Sequence, residues 1–349
     1  MDDPKDQKQT KDPLQDYQES IQSVFSGRLK KFPGGYLIVP SVFFVQTVDL
    51  KMPTLPEIAF FNMTPEGKAE ILREANQQYS TLALSAYPQV LIREEDYEVI
   101  RKKAESLIMS PSTFPGKQGT EKRVQILRRA AIDVVEDLFV NPSDENIEKG
   151  KKVVGSFVYL LMKDPKSYLF LSQLSSHDHY TLQHSVGTAV NAIILGKKMG
   201  ITDEQLLNDL GQGGLLHDIG KTFVNKDIIN KAGPLDPKEW EEMRQHSEWG
   251  FNMVKDKDTL TVAAKRAILE HHEEKSGKGY PHSKPWSDVH DFAKIVAICD
   301  VFNALTTNRS YSSARSPFDA FKLMRDKMTQ KLDDQLFQAL VLVYGGKID

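Results

Sequence analysis

The hydrophobic rhythm of the chain changes about a third of the way along. Up to about residue 110, apolar positions come in short clusters. Tyr36-Leu37-Ile38-Val39-Pro40-Ser41-Val42-Phe43-Phe44-Val45 is rich in β-formers and broken by proline, which predicts two short strands. Thr64-Pro65-Glu66-Gly67, with proline where a first helical turn tolerates it, predicts a helix to about Gln78. Gln89-Val90-Leu91-Ile92 predicts a further strand, and residues 94–109 a helix. From Thr120 onward the spacing is helical almost throughout. Val124, Leu127, Ala131, Val134 and Leu138 line one face over 123–140, and further helices are predicted over 144–162 and from Pro165 to about Ser176. Leu182, Val186, Val190, Ile193 and Ile194 mark a helix that carries His184 and stops at Gly200. Thr202-Asp203-Glu204-Gln205 reads as a capping box for a helix ending at His217-Asp218. Asp236-Pro237-Lys238-Glu239 starts another, on which His246 shares a face with Met243, Gly250 and Met253.

This pattern predicts a small α+β N-terminal domain followed by an all-α helical bundle. Residues 1–20 are polar and read as a disordered tail. Residues 21–112 form the α+β domain, placed as a regulatory or sensor unit. Residues 113–144, which follow the Pro- and Ser-rich start of the break at Ser110-Pro111-Ser112, supply a linker and connecting helix, and 145–349 the helical domain. Of the 349 residues, 40% are hydrophobic and 27% charged, ordinary values for a globular protein. A formal net charge of −3 argues against a general nucleic-acid or anionic-membrane binder. Cys299 is the one cysteine, which excludes an intrachain disulfide and fits a reducing compartment. The charged N-terminus lacks an apolar signal core, and no apolar run nears the roughly 20 residues of a membrane span. A cytoplasmic location is expected, while nothing in the sequence fixes an oligomeric state.

All nine histidines lie between His177 and His290. Within that stretch His184, the dyad His217-Asp218, His246, the pair His271-His272 and finally Asp300 follow one another on five predicted helices. Neutral imidazole and carboxylate are ligands for iron, manganese and zinc. Seven such groups exceed one tetrahedral site and suit two metals sharing a carboxylate. His217 and Asp218 stand just before Gly220, where the chain can turn and aim both side chains together. Successive helical side chains diverge by about 100°, so the neighbouring His271 and His272 can reach two metals from one turn. Asp300 shares an apolar face with Phe292, Val296 and Cys299, and a carboxylate there must be paired, protonated or bound. His177, His179, His282 and His290 sit beside polar or turn residues and read as surface.

The segments from Asp178 through Tyr180 to His184, HDIGK at 217–221, HHE…GKGYP at 271–281 and Asp300 to Thr306 resemble the HD-GYP family. This subgroup of the HD-domain metal-dependent phosphohydrolases is matched over about 145–330. The resemblance implies a helical domain with His184, His217, Asp218, His246, His271, His272 and Asp300 as metal ligands, Asp218 bridging two ions of iron or manganese. It implies hydrolysis of cyclic di-GMP to pGpG or GMP, with a hydroxide between the metals as nucleophile. Some relatives hold a third metal through a glutamate four residues before the first histidine; here that position is Tyr180, so no third metal is expected. Lys221 matches a residue that would stabilise developing phosphate charge in catalysis, Arg309 a phosphate-binding arginine, and Asp178 an acidic residue near the metals. Gly279, Tyr280 and Pro281 match a loop beside the substrate that also contacts GGDEF-domain proteins. The chain departs from the pattern at Glu274, Ser276, Asn303 and Ser312, where the family has Arg, Asp, Asp and a cation. Glu274 and Ser312 lower the local positive charge. The losses at 274, 303 and 312 favour one alternative, a module that binds cyclic di-GMP or GGDEF partners without turnover; a second is a phosphohydrolase of another nucleotide.

Overall fold

The β-rich clusters of the first third assemble into one antiparallel sheet. The computed structural model describes residues 13–44, 58–75, 84, 86–110, 113–114, 119–164, 167–173, 180–307 and 314–346. Its strands are β1 (Lys30–Phe32), β2 (Tyr36–Pro40), β3 (Phe60–Met63), β4 (Ala69–Arg73) and β5 (Gln89–Arg93), in the order β1-β2-β5-β3-β4. The central strand β5 buries Val90, Leu91 and Ile92 in succession, pairing Leu91 with Ile38 on one side and with Phe61 on the other. Helices α1 (Pro13–Ser26) and α2 (Tyr97–Met109) pack together, and the Tyr97 hydroxyl donates to the Val24 carbonyl at 3.0 Å.

Three expectations for this region change. Residues 13–20, read as tail, belong to α1, whose Tyr17, Ile21 and Val24 are buried at helical spacing among polar neighbours. Tyr36 to Phe44 gives one strand, not two: it ends at Pro40, and the partner of β2 is the lysine-rich β1 across a turn at Gly34 and Gly35, both at positive φ. The helix expected from Thr64 is instead a turn and a strand. Gly67 adopts φ +74°, Thr64 N–H donates to the Lys68 carbonyl at 2.8 Å, and the chain reverses into β4. A left-handed glycine three residues into the segment favours reversal over helical continuation.

The chain divides into two compact units between Ala130 and Ala131, inside helix α3 (Gly119–Val140). The second unit is helical: α4 (Asp144–Lys163), α5 (Ser167–Gln173), α6 (Tyr180–Lys198), α7 (Glu204–Leu216), α8 (Lys226–Ile229), α9 (Pro237–Arg244), α10 (His246–Val254), α11 (Val262–Glu270), α12 (Asp291–Thr306), α13 (Pro317–Lys327) and α14 (Asp334–Tyr344). Side-chain caps start most of them: Ser143, Asp203, Thr261, Ser316 and Asp333 each accept a backbone N–H, and Asp236 with Glu239 completes a capping box. α7 is capped by Asp203 where Thr202 was expected. The helix predicted through His246 breaks at Gln245, so His246 opens α10 and no longer shares a helix with Met243. His290, read as surface, is partly buried and caps α12 by accepting the Phe292 N–H.

α7 is the axle of this unit. A Cβ at Gly214 would stand 2.9 Å from the Ala189 Cα on α6, and one at Gly213 2.8 Å from the Ala267 Cβ on α11. These glycines let α7 lie between its neighbours, which brings its C-terminal His217-Asp218 into the interior. Ala192, Leu195, Leu210, Ala267, Val296 and Phe302 belong to the buried cluster beneath, and each large member contributes roughly 1.5–3 kcal/mol on burial. Among the described residues no helix is long and apolar enough to cross a membrane.

Candidate metal centre

Five helices deliver the seven ligand candidates to one place. His184 projects from α6, His217 and Asp218 follow α7, His246 opens α10, His271 and His272 follow α11, and Asp300 lies on α12. The first four of these histidines in chain order (His184, His217, His246 and His271) and Asp218 are each at most 2% exposed. The side chains form two groups: Asp218 with His246, His271 and His272, and His184 with His217 and Asp300. Asp218 faces both. Its Oδ1 lies 3.4 Å from His246 Nε2, while its Oδ2 lies 3.3 Å from His217 Nε2 and 3.8 Å from His184 Nε2. Asp300 Oδ1 closes the second group at 2.9 Å from His184 Nε2 and 3.8 Å from His217 Nε2. His271 and His272 both fall in the first group, with ring centroids 4.0 Å apart.

The donor set fits divalent cations. His217, His246 and His271 donate Nδ1–H to the carbonyls of Gly214, Met243 and Ile268 at 2.8, 2.6 and 2.8 Å. In the neutral ring this places the lone pair on Nε2. His184 Nδ1 is likewise bonded, to Asn303 Oδ1 at 2.9 Å. The free nitrogens then converge: His246 Nε2 is 3.3 Å from His271 Nε2 and 3.2 Å from His272 Nε2. The lone pairs of His246 and His271, each ring already bonded through Nδ1, repel at that distance unless a cation stands between them. His217 Nε2 and Asp218 Oδ1 are moreover buried with no hydrogen-bond partner, a cost that a metal would remove.

Protonation follows the same logic. Burial, aided by the neighbouring rings, pushes His271 down to about 3, and burial takes His246 down to about 4. His272 is also driven well down by burial, then by His271 and His246. All three are neutral imidazoles near pH 7. For Asp218 burial opposes ionisation, but His217 and Lys221 outweigh it and hold the carboxyl well below its usual range. Asp300 is lowered against burial by its bond to His184. His217 is raised, the carboxylates of Asp218 and Asp300 overcoming burial.

Around the ligands, Lys221 Nζ lies 2.6 Å from Asp218 Oδ2. Gly279 is wedged against backbone: a Cβ there would sit 2.4 Å from Glu273 Cα and 2.5 Å from the His272 carbonyl. The contact allows Tyr280 N–H to donate to that carbonyl at 3.1 Å and its ring to stack on His272 at 4.5 Å. Pro281 follows through a cis peptide. Two buried glutamates moor this loop: Glu273 accepts the N–H groups of His282 and Lys284, and Glu270 accepts the Lys284 ammonium at 2.6 Å and the His290 N–H at 3.0 Å.

Two departures from the expected pattern acquire local roles. Glu274, expected to repel an anionic substrate, is bound to Lys331 Nζ at 2.7 Å and accepts the Ser276 hydroxyl. Asn303, read as a loss from the substrate pocket, orients His184. Sequence reasoning missed this link and also Arg244, whose guanidinium lies 5.3 Å over the Tyr280 ring. The signal for Arg244 was available, because the strong start at Asp236-Pro237 puts Trp240 and Arg244 one turn apart. Asp178, Arg309, Ser312, His177 and His179, and the Tyr180 side chain on which the exclusion of a third metal rests, lie outside the described residues.

Residues 173–336 match the HD domain family. A cyclic di-GMP phosphodiesterase of Pseudomonas aeruginosa is 32% identical over 185 residues, 53% of this chain and 44% of that protein. The 3′3′-cGAMP-specific phosphodiesterase 3 of Vibrio cholerae is 30% identical over 161 residues, 46% of this chain and 35% of that protein. The chain therefore spans less than half the length of these curated relatives. Among solved structures, an HDG"Y"P protein of Bdellovibrio bacteriovorus shares the fold over 89% of this chain and 100% of its own, with a TM-score of 0.61 at 19% identity.

Proposed function

We propose, for a chain whose helical half belongs to the HD-GYP branch of the HD-domain family, that it is a metal-dependent phosphodiesterase of cyclic dinucleotides, with cyclic di-GMP as substrate and pGpG or GMP as product. The observation that carries this reading is Asp218, a single buried carboxylate whose two oxygens face two separate ligand groups. That is the arrangement a bridging ligand requires. One ion, of iron or manganese, would be held by His184, His217, Asp300 and Asp218, the other by His246, His271, His272 and Asp218. When bound, the pair supplies Lewis acidity that acidifies water and offsets charge on a phosphoryl oxygen.

The chain's own residues do the positioning. Backbone carbonyls and Asn303 lock four imidazoles by their far nitrogens, so little reorganisation is left for the moment of reaction. Lys221 sets an ammonium group beside Asp218, where it would offset charge growing on a phosphate held at the ligands. The loop moored by Glu270 and Glu273 keeps Tyr280 against His272.

The non-catalytic reading drew on Glu274, Asn303 and Ser312. Glu274 is paired with Lys331 and Asn303 serves a ligand, so the described residues favour turnover. The test is hydrolysis of cyclic di-GMP and of 3′3′-cGAMP by protein stripped of metal and reloaded anaerobically with iron(II) or manganese(II). Product from loaded wild type and none from Asp218→Ala is expected. Absence of product from both substrates under both metals would overturn the proposal.

A further inference from the structure

We propose that Trp240 and Arg244 form a base-binding wall for the nucleotide, with the Trp240 indole as the platform on which a purine stacks. The proposal rests on the reading of the substrate as a cyclic dinucleotide and adds where its base is held. Exposed aromatic residues are common, and exposure alone carries nothing. Trp240 differs in what connects it to the ligands. Its ring meets Tyr280 edge-on at 6.2 Å, and Tyr280 stacks on His272 at 4.5 Å, with planes 28° apart. Two ring-to-ring steps thus lead from a metal-ligand candidate to an indole that is 48% exposed. That distance is short enough for one nucleotide to bridge, its phosphate at the ligands and its base on the indole.

The wall is also rigid and charged. The capping box at Asp236 and Glu239 fixes the start of α9, and Trp240 and Arg244 stand one turn apart on the same face. Arg244 covers the Tyr280 ring at 5.3 Å and pairs only loosely with Glu241, at 3.5 Å. Its guanidinium thereby holds Tyr280 between the platform and His272 and puts a cation beside the path of an anionic ligand. An exposed aromatic beside a fixed cation is the combination by which proteins hold unpaired bases.

The experiment uses the metal-loaded full chain and three variants, Trp240→Ala, Trp240→Phe and Phe318→Ala; Phe318, on α13, is an aromatic even more exposed than Trp240. KM and kcat for cyclic di-GMP are measured, and quenching of tryptophan fluorescence is followed on titration with GMP. Loss of the platform should raise KM about tenfold or more with a much smaller change in kcat, Trp240→Phe should recover most of that loss, and Phe318→Ala should match wild type. GMP should quench wild type and leave Trp240→Phe unquenched, since Trp249 and Trp286 remain in that variant as internal references. Wild-type KM in Trp240→Ala, or equal quenching in wild type and Trp240→Phe, overturns the wall while leaving the phosphodiesterase reading in place. Quenching that depends on Trp240 without any turnover keeps the wall and overturns the phosphodiesterase reading. Neither turnover nor quenching overturns both.

Discussion

The two ligand groups draw on the same residue types but are built differently. In the group of His246, His271 and His272, imidazole dominates, one carboxylate oxygen joins, and two of the rings are held by backbone carbonyls. In the group of His184, His217 and Asp300, Asp300 and the other oxygen of Asp218 both contribute, His217 is held by a backbone carbonyl and His184 by a side-chain amide. The first is therefore nearly neutral, with its anchored rings tied to backbone alone. The second is more anionic, and its geometry depends on Asn303, which substitution can alter without touching a ligand. Carboxylate-rich sites favour harder ions and imidazole-rich sites borderline ones, so the two positions should differ in both affinity and preference.

The most severe test of this contrast is Asp218→Ala, which removes the shared ligand. Metal analysis should show both ions lost and turnover abolished; retention of half the wild-type metal would show that Asp218 serves one group only. Next in size, His272→Ala should halve the metal content and leave the group of His184 loaded, whereas loss of all metal would mean that the groups do not fill independently. Asn303→Ala should weaken the ion beside His184 by about 10–100-fold, as read by competition with a chelator, and Asn303→Asp should restore binding through a stronger acceptor. An identical affinity in all three proteins would make the Asn303 bond incidental. The smallest effect belongs to Glu274→Ala. Its pair with Lys331 is solvent-facing, so chemical denaturation should register less than about 1 kcal/mol. A several-fold fall in KM in that variant would instead show Glu274 acting on the substrate.

Much of the helical half was legible because its signals were strong and local. Caps such as Asp236, a stop at Gly200 and long 3/4 repeats fix helices without reference to partners, and the helices carry the ligands in chain order. The identity of all seven clustered side chains could be read for that reason. Which of them share a group could not, because that depends on how five helices pack against one another. The same applies to Glu274 and Asn303, whose partners Lys331 and His184 are far away in sequence. The N-terminal unit was harder to read. In α1 three apolar residues among polar ones suffice to bury a face, and in β1 a lysine-rich strand gains its identity from pairing with β2.

The bonds that orient His217, His246 and His271 have a second consequence. Each ring donates to the carbonyl three residues earlier, and Gly214, Met243 and Ile268 all lie in the final turn of a helix. Carbonyls there lack intrahelical donors, so the imidazole acts as a helix cap with one nitrogen while offering the other to an ion. Folding and ion capture thus use opposite ends of the same ring. Replacing such a histidine by alanine frays a helix end as well as deleting a ligand. The reference for what the ions contribute to stability is therefore the metal-free wild type, and any excess loss in an alanine variant measures the cap.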